Sequence, residues 1–476
     1  MPHVKSPRRP SSSLRRSIAV ALGVALISAS TLAGAESAKE KELEARVAEL
    51  EKLVQQLVAE KKAAPAAVGG PAAAGTVAAA PAAAPAKPDP KAIQPGTILP
   101  NAAPGTSFVM TGYAKADGMW TNTSDGELAE NSASRDFYVP GATPIGQTDE
   151  GTDFDAHVKQ TRINFGTDTL LAGGDKLSTR FEIDFFGTIG ASTTRTTNSY
   201  SPVLRHAYVQ WREWLVGQTW SNFQDVAALP DSVDFIGSTD GTVFVRQPQV
   251  RYTKGGFSLA VENPQTTMTP FGGPADPNST AWIVETDDNS IPDLTARYAW
   301  KGAWGHVAVA GLARELKYER VATTTLAAID ASTWSMAGSL TGKFMIGKDD
   351  IRFMLLGGNL GRYVGLNFTT DAVLTSNTGT ADLETIDGFA GSIAYRHVWS
   401  DKWRSSIYFA LGDYDNDAGY TGGNVNKSSE SWTINTWYTP LPKLDIGAEF
   451  RHAVRELENG SDGSLDRLQF TTRYSF

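Results

Sequence analysis

The chain has 476 residues, 41% of them hydrophobic, with no cysteine and a formal net charge of −9. Without cysteine there are no disulfides, thiolate metal sites or cysteine nucleophiles, which suits a compartment where free thiols are oxidised. The acidic balance argues against a nucleic-acid partner, and the abundance of Gly, Thr, Asn and aromatic residues favours strands and turns over helices.

At the amino end Arg8, Arg9, Arg15 and Arg16 precede an apolar run from Ile18 to Ile27, followed by the small-residue pattern Ala33-Gly34-Ala35. Residues 1–35 therefore read as a secretory signal peptide, with Glu36 as the first mature residue. Beyond Ala35 no apolar run approaches the roughly 18 residues of a spanning helix, so any membrane crossing must use strands.

Residues 36–62 carry Leu43, Val47, Leu50, Val54 and Leu57 at spacings of four and three, with charged residues and glutamine between them. This is the seam of a periplasmic coiled-coil helix that should self-associate. About three heptads specify the oligomer number only weakly, and the alternative is one amphipathic helix lying on the body. Residues 63–105 are nearly all Ala and Pro and cannot bury a core, so they are expected to form an extended, semi-stiff spacer.

Residues 106–476 are expected to form an all-β transmembrane barrel of sixteen antiparallel strands. The strands are placed at about 107–120, 157–168, 175–187, 203–212, 214–220, 243–253, 256–263, 293–300, 303–313, 332–346, 350–362, 385–398, 402–413, 430–439, 443–455 and 465–476. Tight turns such as Arg212-Glu213 and Ser400-Asp401 alternate with long loops such as 121–156, 222–242 and 264–292. Short turns on one rim and long loops on the other are the arrangement of an outer-membrane barrel, with both ends of the domain on the periplasmic side. Trp211 and Trp214, Trp300 and Trp304, and Trp399 and Trp403 bracket three of the short turns, as an interfacial girdle would.

Strand parity sets which face meets lipid. Leu177, Phe181, Ile183 and Phe185 alternate with Ser178, Arg180, Glu182 and Asp184, and Leu444, Ile446 and Phe450 alternate with Asp445, Glu449 and Arg451. Each arginine turned into lipid at mid-bilayer costs about 2–4 kcal/mol, so the charged face must be the lumen. The rule lines the interior with Arg162, Arg180, Arg251, Arg297, Arg352, Arg404, Arg451, Arg467 and Arg473, countered by Asp117, Glu182, Asp184, Asp445 and Glu449. The strand of Arg352 is apolar on both faces, and the strand holding Arg205 and His206 reads in either parity, which leaves those two unassigned.

The loop 222–242 carries Asp225, Asp231, Asp234 and Asp240 with Val226, Leu229, Val233 and Phe235 to pack it. Folded inward, it would constrict the channel, and its acids facing wall arginines would set a transverse field across the passage. A solvated or cation-binding surface loop is the alternative. His157, His206, His306, His397 and His452 are scattered with no HExxH, GxSxG or metal-ligand spacing, so neither catalysis nor a cofactor or metal is expected.

With sixteen strands, a terminal Phe476, a leading coil and the segments SFVMTGYAKADGMW, KQTRINFGTDT, RFEIDFFG and LRHAYVQWREWLVGQTWSNFQD in order, the chain resembles the DcaP-like family of trimeric outer-membrane porins. The resemblance implies a homotrimer in outer-membrane lipid, a periplasmic coil, and passive diffusion of small anionic solutes, dicarboxylates among them. The long Ala/Pro spacer departs from that pattern. The other function weighed is structural, an envelope tether in which the coil holds the outer membrane and the barrel only anchors it.

Overall fold

Alternation of apolar and polar residues over runs of nine or more favours strands whose two faces meet different solvents, and a sheet in lipid must close on itself to pair every backbone group. The computed structural model describes residues 105–148, 151–187 and 198–476, all within the unit Asp89–Phe476. The signal peptide, the coil seam Leu43 to Leu57 and nearly all of the spacer lie outside the described residues.

The first strands are β1 (Thr106–Thr123), β2 (Gly151–His157), β3 (Arg162–Leu170), β4 (Lys176–Asp184), β5 (Val203–Trp211), β6 (Trp214–Trp220), β7 (Arg246–Lys254) and β8 (Phe257–Glu262). After β9 (Thr266–Thr269) and β10 (Val284–Thr286), the wall continues through β11 (Asp293–Gly302), β12 (Gly305–Arg320), β13 (Ile329–Ile346) and β14 (Asp349–Gly358). Then come β15 (Ala372–Leu374), β16 (Leu383–Thr385), β17 (Gly388–Val398), β18 (Trp403–Tyr414), β19 (Asn426–Leu441), β20 (Leu444–Leu457) and β21 (Asp462–Ser475).

Both β2 and β3 pair antiparallel with β1, so they are the two halves of one stave broken at residues 158–161, and the wall is a closed barrel of sixteen antiparallel strands. Closure is made by β21 against β1, from Tyr113↔Ser475 to Thr123↔Leu465, and the Phe476 N–H donates to the Gly112 carbonyl at 3.0 Å. The carboxy-terminus is thereby tied into the sheet and no edge is left unpaired.

Phe165, Phe181, Val216, Leu259, Ile407 and Phe470 stand exposed on the outer face, as do the six tryptophans that bracket short turns. Phe165 stacks on Phe181 across β3 and β4 at 5.4 Å. Nearly every predicted strand is present, with two differences. The stave at 157–168 is interrupted and reaches back to Gly151, and β12 runs to Arg320, well past the expected end at 313. The excess of β12 carries Glu315, Lys317 and Glu319 on one face and Leu316, buried, on the other, because it projects past the membrane band and packs inward on loops.

The loops 263–292 and 359–387 also pair with each other, through a four-stranded sheet of β10, β9, β15 and β16 on the long-loop rim. It is pinned to the wall by Arg314, fully buried, which lies 2.7 Å from Asp371 and 3.2 Å from Asp293. Strands of three or four residues fall below what alternation can reveal, and they were expected to be loop.

Candidate functional site in the channel

The third long loop, residues 221–245 between β6 and β7, folds into the barrel and runs along one side of it. Asp225 starts the contact, with Arg297 at 3.0 Å, His306 Nε2 at 2.8 Å and the Thr341 hydroxyl donating at 2.8 Å, which brings the loop to β11, β12 and β13. The Leu229 carbonyl then accepts from Arg352 of β14, and Asp231 pairs with Arg404 of β18 at 2.8 Å. Next, Glu449 of β20 accepts from the Val233 N–H at 2.8 Å, Lys115 of β1 donates to the Val233 carbonyl at 2.7 Å, and Asp234 faces Arg451 at 3.6 Å. On the return, Asp240 accepts from the Tyr138 hydroxyl at 2.8 Å and from Ser431 of β19.

Closest approach is made by Gly241 against Gly391 of β17, where a Cβ on Gly241 would lie 2.0 Å from the Gly391 carbonyl oxygen. Behind the loop, Phe223, Val243, Leu312, Leu356, Tyr363, Val364, Phe368 and Tyr414 form a buried cluster inside the barrel. That cluster accounts for the doubly apolar strand of Arg352: Ile351, Phe353 and Leu355 face outward, while buried Met354 and Leu356 pack under the loop.

Asp225, Asp231 and Asp234 therefore meet arginines in contact rather than across open water, and Asp240 is met by two hydroxyls. A carboxylate at contact distance from a guanidinium is a short dipole whose field decays over a few ångströms, so the transverse field expected from this loop does not extend across the passage. Burial alone would push Asp225 up, but Arg297 together with the His306 and Thr341 hydrogen bonds outweighs it and holds the carboxyl below its ordinary range. For Asp240 burial wins and the pKa is raised.

On its other side the loop meets the wall of β3 to β7. Arg162 lies 3.5 Å from Glu182 and 3.6 Å from Asp184, and Arg205 lies 2.8 and 2.7 Å from the same two carboxylates. The third loop answers with an aromatic ring: the Phe235 centroid is 5.9 Å from the Arg162 guanidinium and 5.3 Å from that of Arg205. Phe235 continues a row of rings through Phe186 at 4.5 Å, Phe137 at 5.2 Å and Phe244 at 5.6 Å, and Phe244 meets Trp220 at 4.9 Å.

The facing of Arg205 and His206 is decided by a β-bulge. Glu182 pairs with His206 and Ile183 with Leu204, so Arg205 is the extra residue and both side chains are buried inside. No single parity describes this strand, because its parity changes at that step.

The remaining expected arginines also lie on the inner wall, each alternating with an outward apolar neighbour. Arg180 pairs with Asp168 at 2.9 Å near the short-turn rim, and Arg473 with Asp445 at 2.7 Å. Arg467 is buried and donates to Thr121 Oγ1 at 2.8 Å and to the Ser134 carbonyl. Arg251 is partly buried and has no ion-pair partner among the described residues. Asp117 is held by Lys115 at 3.1 Å.

Lys115 and Arg396 join the expected lumen cations, on the inward parity of Asp117 and Ser392, whereas strand parity misplaces Arg246. Arg246 opens β7 on the parity of the lipid face, yet it sits at the rim with its guanidinium 5.0 Å from the Trp220 ring and 5.5 Å from that of Phe244. Its Nη1 is buried without a hydrogen-bond partner, and among the described residues it makes no ion pair. Of the histidines, His157 contacts the Asp136 carbonyl, His206 contacts Thr219, and His306, His397 and His452 contact Asp225, Asp349 and Asp466. Among the described residues no group of His, Asp and Glu could hold a metal ion. Beneath the loop, toward the short-turn rim, lies a cavity of about 660 Å³.

Comparison with known proteins bears on this geometry. The model of the DcaP outer membrane protein family matches residues 141–476. Among solved structures, the outer membrane channel DcaP of Acinetobacter baumannii superposes with a TM-score of 0.62 at 22% identity, covering 79% of this chain and 99% of that one. An anion-selective porin from Comamonas acidovorans aligns at 11% identity, 78% and 100% coverage and a TM-score of 0.47. OmpT of Vibrio cholerae aligns at 12% identity, 79% and 99% coverage and the same TM-score, 0.47. No curated protein matches the chain.

Proposed function

The chain belongs to the DcaP outer membrane protein family, a β-barrel channel protein of the bacterial outer membrane, and on that premise we propose passive, anion-preferring diffusion through the gap between its third loop and strands β3 to β8. The solutes are small and anionic, dicarboxylates among them, and the loop narrows their path. What carries this reading is the charge of that wall. Arg162, Arg205, Arg246 and Arg251 stand there, the first two share Glu182 and Asp184, and the last two have no ion-pair partner among the described residues. Unpaired guanidinium in a wet, narrow passage favours anions.

A homotrimer is supported by the height of that same wall. β6 and β8 hold 7 and 6 residues, about 20–23 Å of chain and roughly 15 Å of height at a tilt of about 45°, short of an apolar band of about 25 Å. Its outer face is nevertheless apolar, with Val209, Trp214, Val216, Val250, Leu259 and Val261 exposed, and a second copy covers it better than lipid does. On the same premise we assign the coiled-coil segment 36–62 to the periplasm.

Planar-bilayer recording tests the reading. The reversal potential in a salt gradient should favour anions and move toward cations in Arg246→Gln and in Arg251→Gln. A cation-favouring potential, unchanged in both variants, would reject it.

A further inference from the structure

The cavity beneath the third loop lies on the far side of Phe235 from Arg162 and Arg205, with Phe235 lining both regions. Its roof is the loop segment from Leu229 to Phe235, and its walls carry Arg352, Arg396, Arg404, Lys443 and Arg473. All five lie within a few residues of a short turn or of the chain end, which sets the cavity on the periplasmic rim.

Its cations fall into two groups. Arg352 and Arg396 both reach buried Asp350, each at 2.6 Å, and Arg404 and Arg473 both reach Asp445, at 3.3 and 2.7 Å. Arg404 also takes Asp231. Against these five cations the lining of the cavity carries three carboxylates, Asp231, Asp234 and Asp445, which leaves an excess of two positive charges. Lys443 makes no ion pair among the described residues. Four guanidinium groups and one ammonium around a single cavity, with that excess of two positive charges, match a small dianion whose oxyanions are carboxylate or phosphate.

We infer that this cavity is an exit-side binding site at which a dianion pauses before leaving the channel, which makes flux saturable. It rests on the anion-channel reading of the lumen. Malonate and pyrophosphate, added separately to single channels of the full protein, probe the two oxyanion chemistries. Open-channel current carried by chloride should fall saturably with at least one of them, and R396Q/K443Q should weaken that block about tenfold. Asp350 keeps Arg352 in this variant and Lys443 is exposed, so the barrel is left intact. As a control, K348Q/K402Q removes two exposed charges from the same rim outside the cavity and should leave the block as it was. Absence of saturable block, or equal weakening in both pairs, would overturn the site while an anion-favouring reversal potential still stood. A cation-favouring potential would overturn the channel reading and the site with it.

Discussion

Strands β12 and β13, of 16 and 18 residues, make a tall wall, whereas β4 to β8, of 6 to 9 residues, make a low one. The tall side is lined within by the third loop, which turns its interior into an ordinary protein core with Leu312, Leu356 and Tyr363 buried among paired charges. The low side also buries much of its inner face, but Arg246 and Arg251 make no ion pair there among the described residues. One barrel thus divides its labour. Along the tall side carboxylates of the loop take up wall arginines, whereas on the low side the loop offers mainly the ring of Phe235.

Arg451→Met should break this division most severely. Arg451 is buried, donates to the Gly237 carbonyl at 2.6 Å and faces Asp234 and Glu449 at 3.6 and 3.8 Å. Its loss strands two buried carboxylates, a cost of about 3–5 kcal/mol. The midpoint of unfolding in urea should drop, and single-channel conductance should rise as the loop lifts. Unchanged conductance would mean that the loop is held elsewhere.

Next comes Gly241→Val. A Cβ there meets the Gly391 oxygen, so the loop must back away from β17 at about 1–3 kcal/mol, with conductance again raised but folding largely kept.

Acid should separate the two ends of the loop. The Asp225 carboxyl has a pKa lowered below its unfolded value of about 3.9, so its clasp is fully present above that value and is lost as pH falls through the lower folded one. Asp240 has a raised pKa because burial disfavours its charged form, so protonation on acidification relieves that penalty. On acidification conductance should stay level until pH falls below about 4 and then rise, and Asp225→Asn should show the raised conductance already at neutral pH.

The mildest effect is expected from Arg404→Gln. Asp231 and Asp445 already neutralise this side chain, so the reversal potential should move less than in Arg246→Gln. A larger shift would mean that the latched side also selects.

Much of the barrel was legible along the chain because lipid is an unforgiving solvent. Alternation, tight turns and bracketing tryptophans give the strand count, the rims and the inward arginines. Arg205 and His206 escaped because a bulge changes parity within one strand. Arg246 escaped because a residue at a rim is free of the parity that binds a residue at mid-membrane. The ring of Phe235 opposite Arg162 and Arg205 left no trace in the sequence, since a phenylalanine in a loop looks the same whether it packs a core or faces a channel.

By itself the sequence determined that strands close a cylinder and that guanidinium faces inward, since hydrocarbon penalises every other choice by several kcal/mol per residue. Only the tertiary structure decided which of those charges are used up. Asp225, Asp231 and Asp234 find their arginines through contacts spanning from 72 to more than 200 residues of chain, and no local pattern records which side of the barrel a loop leans on.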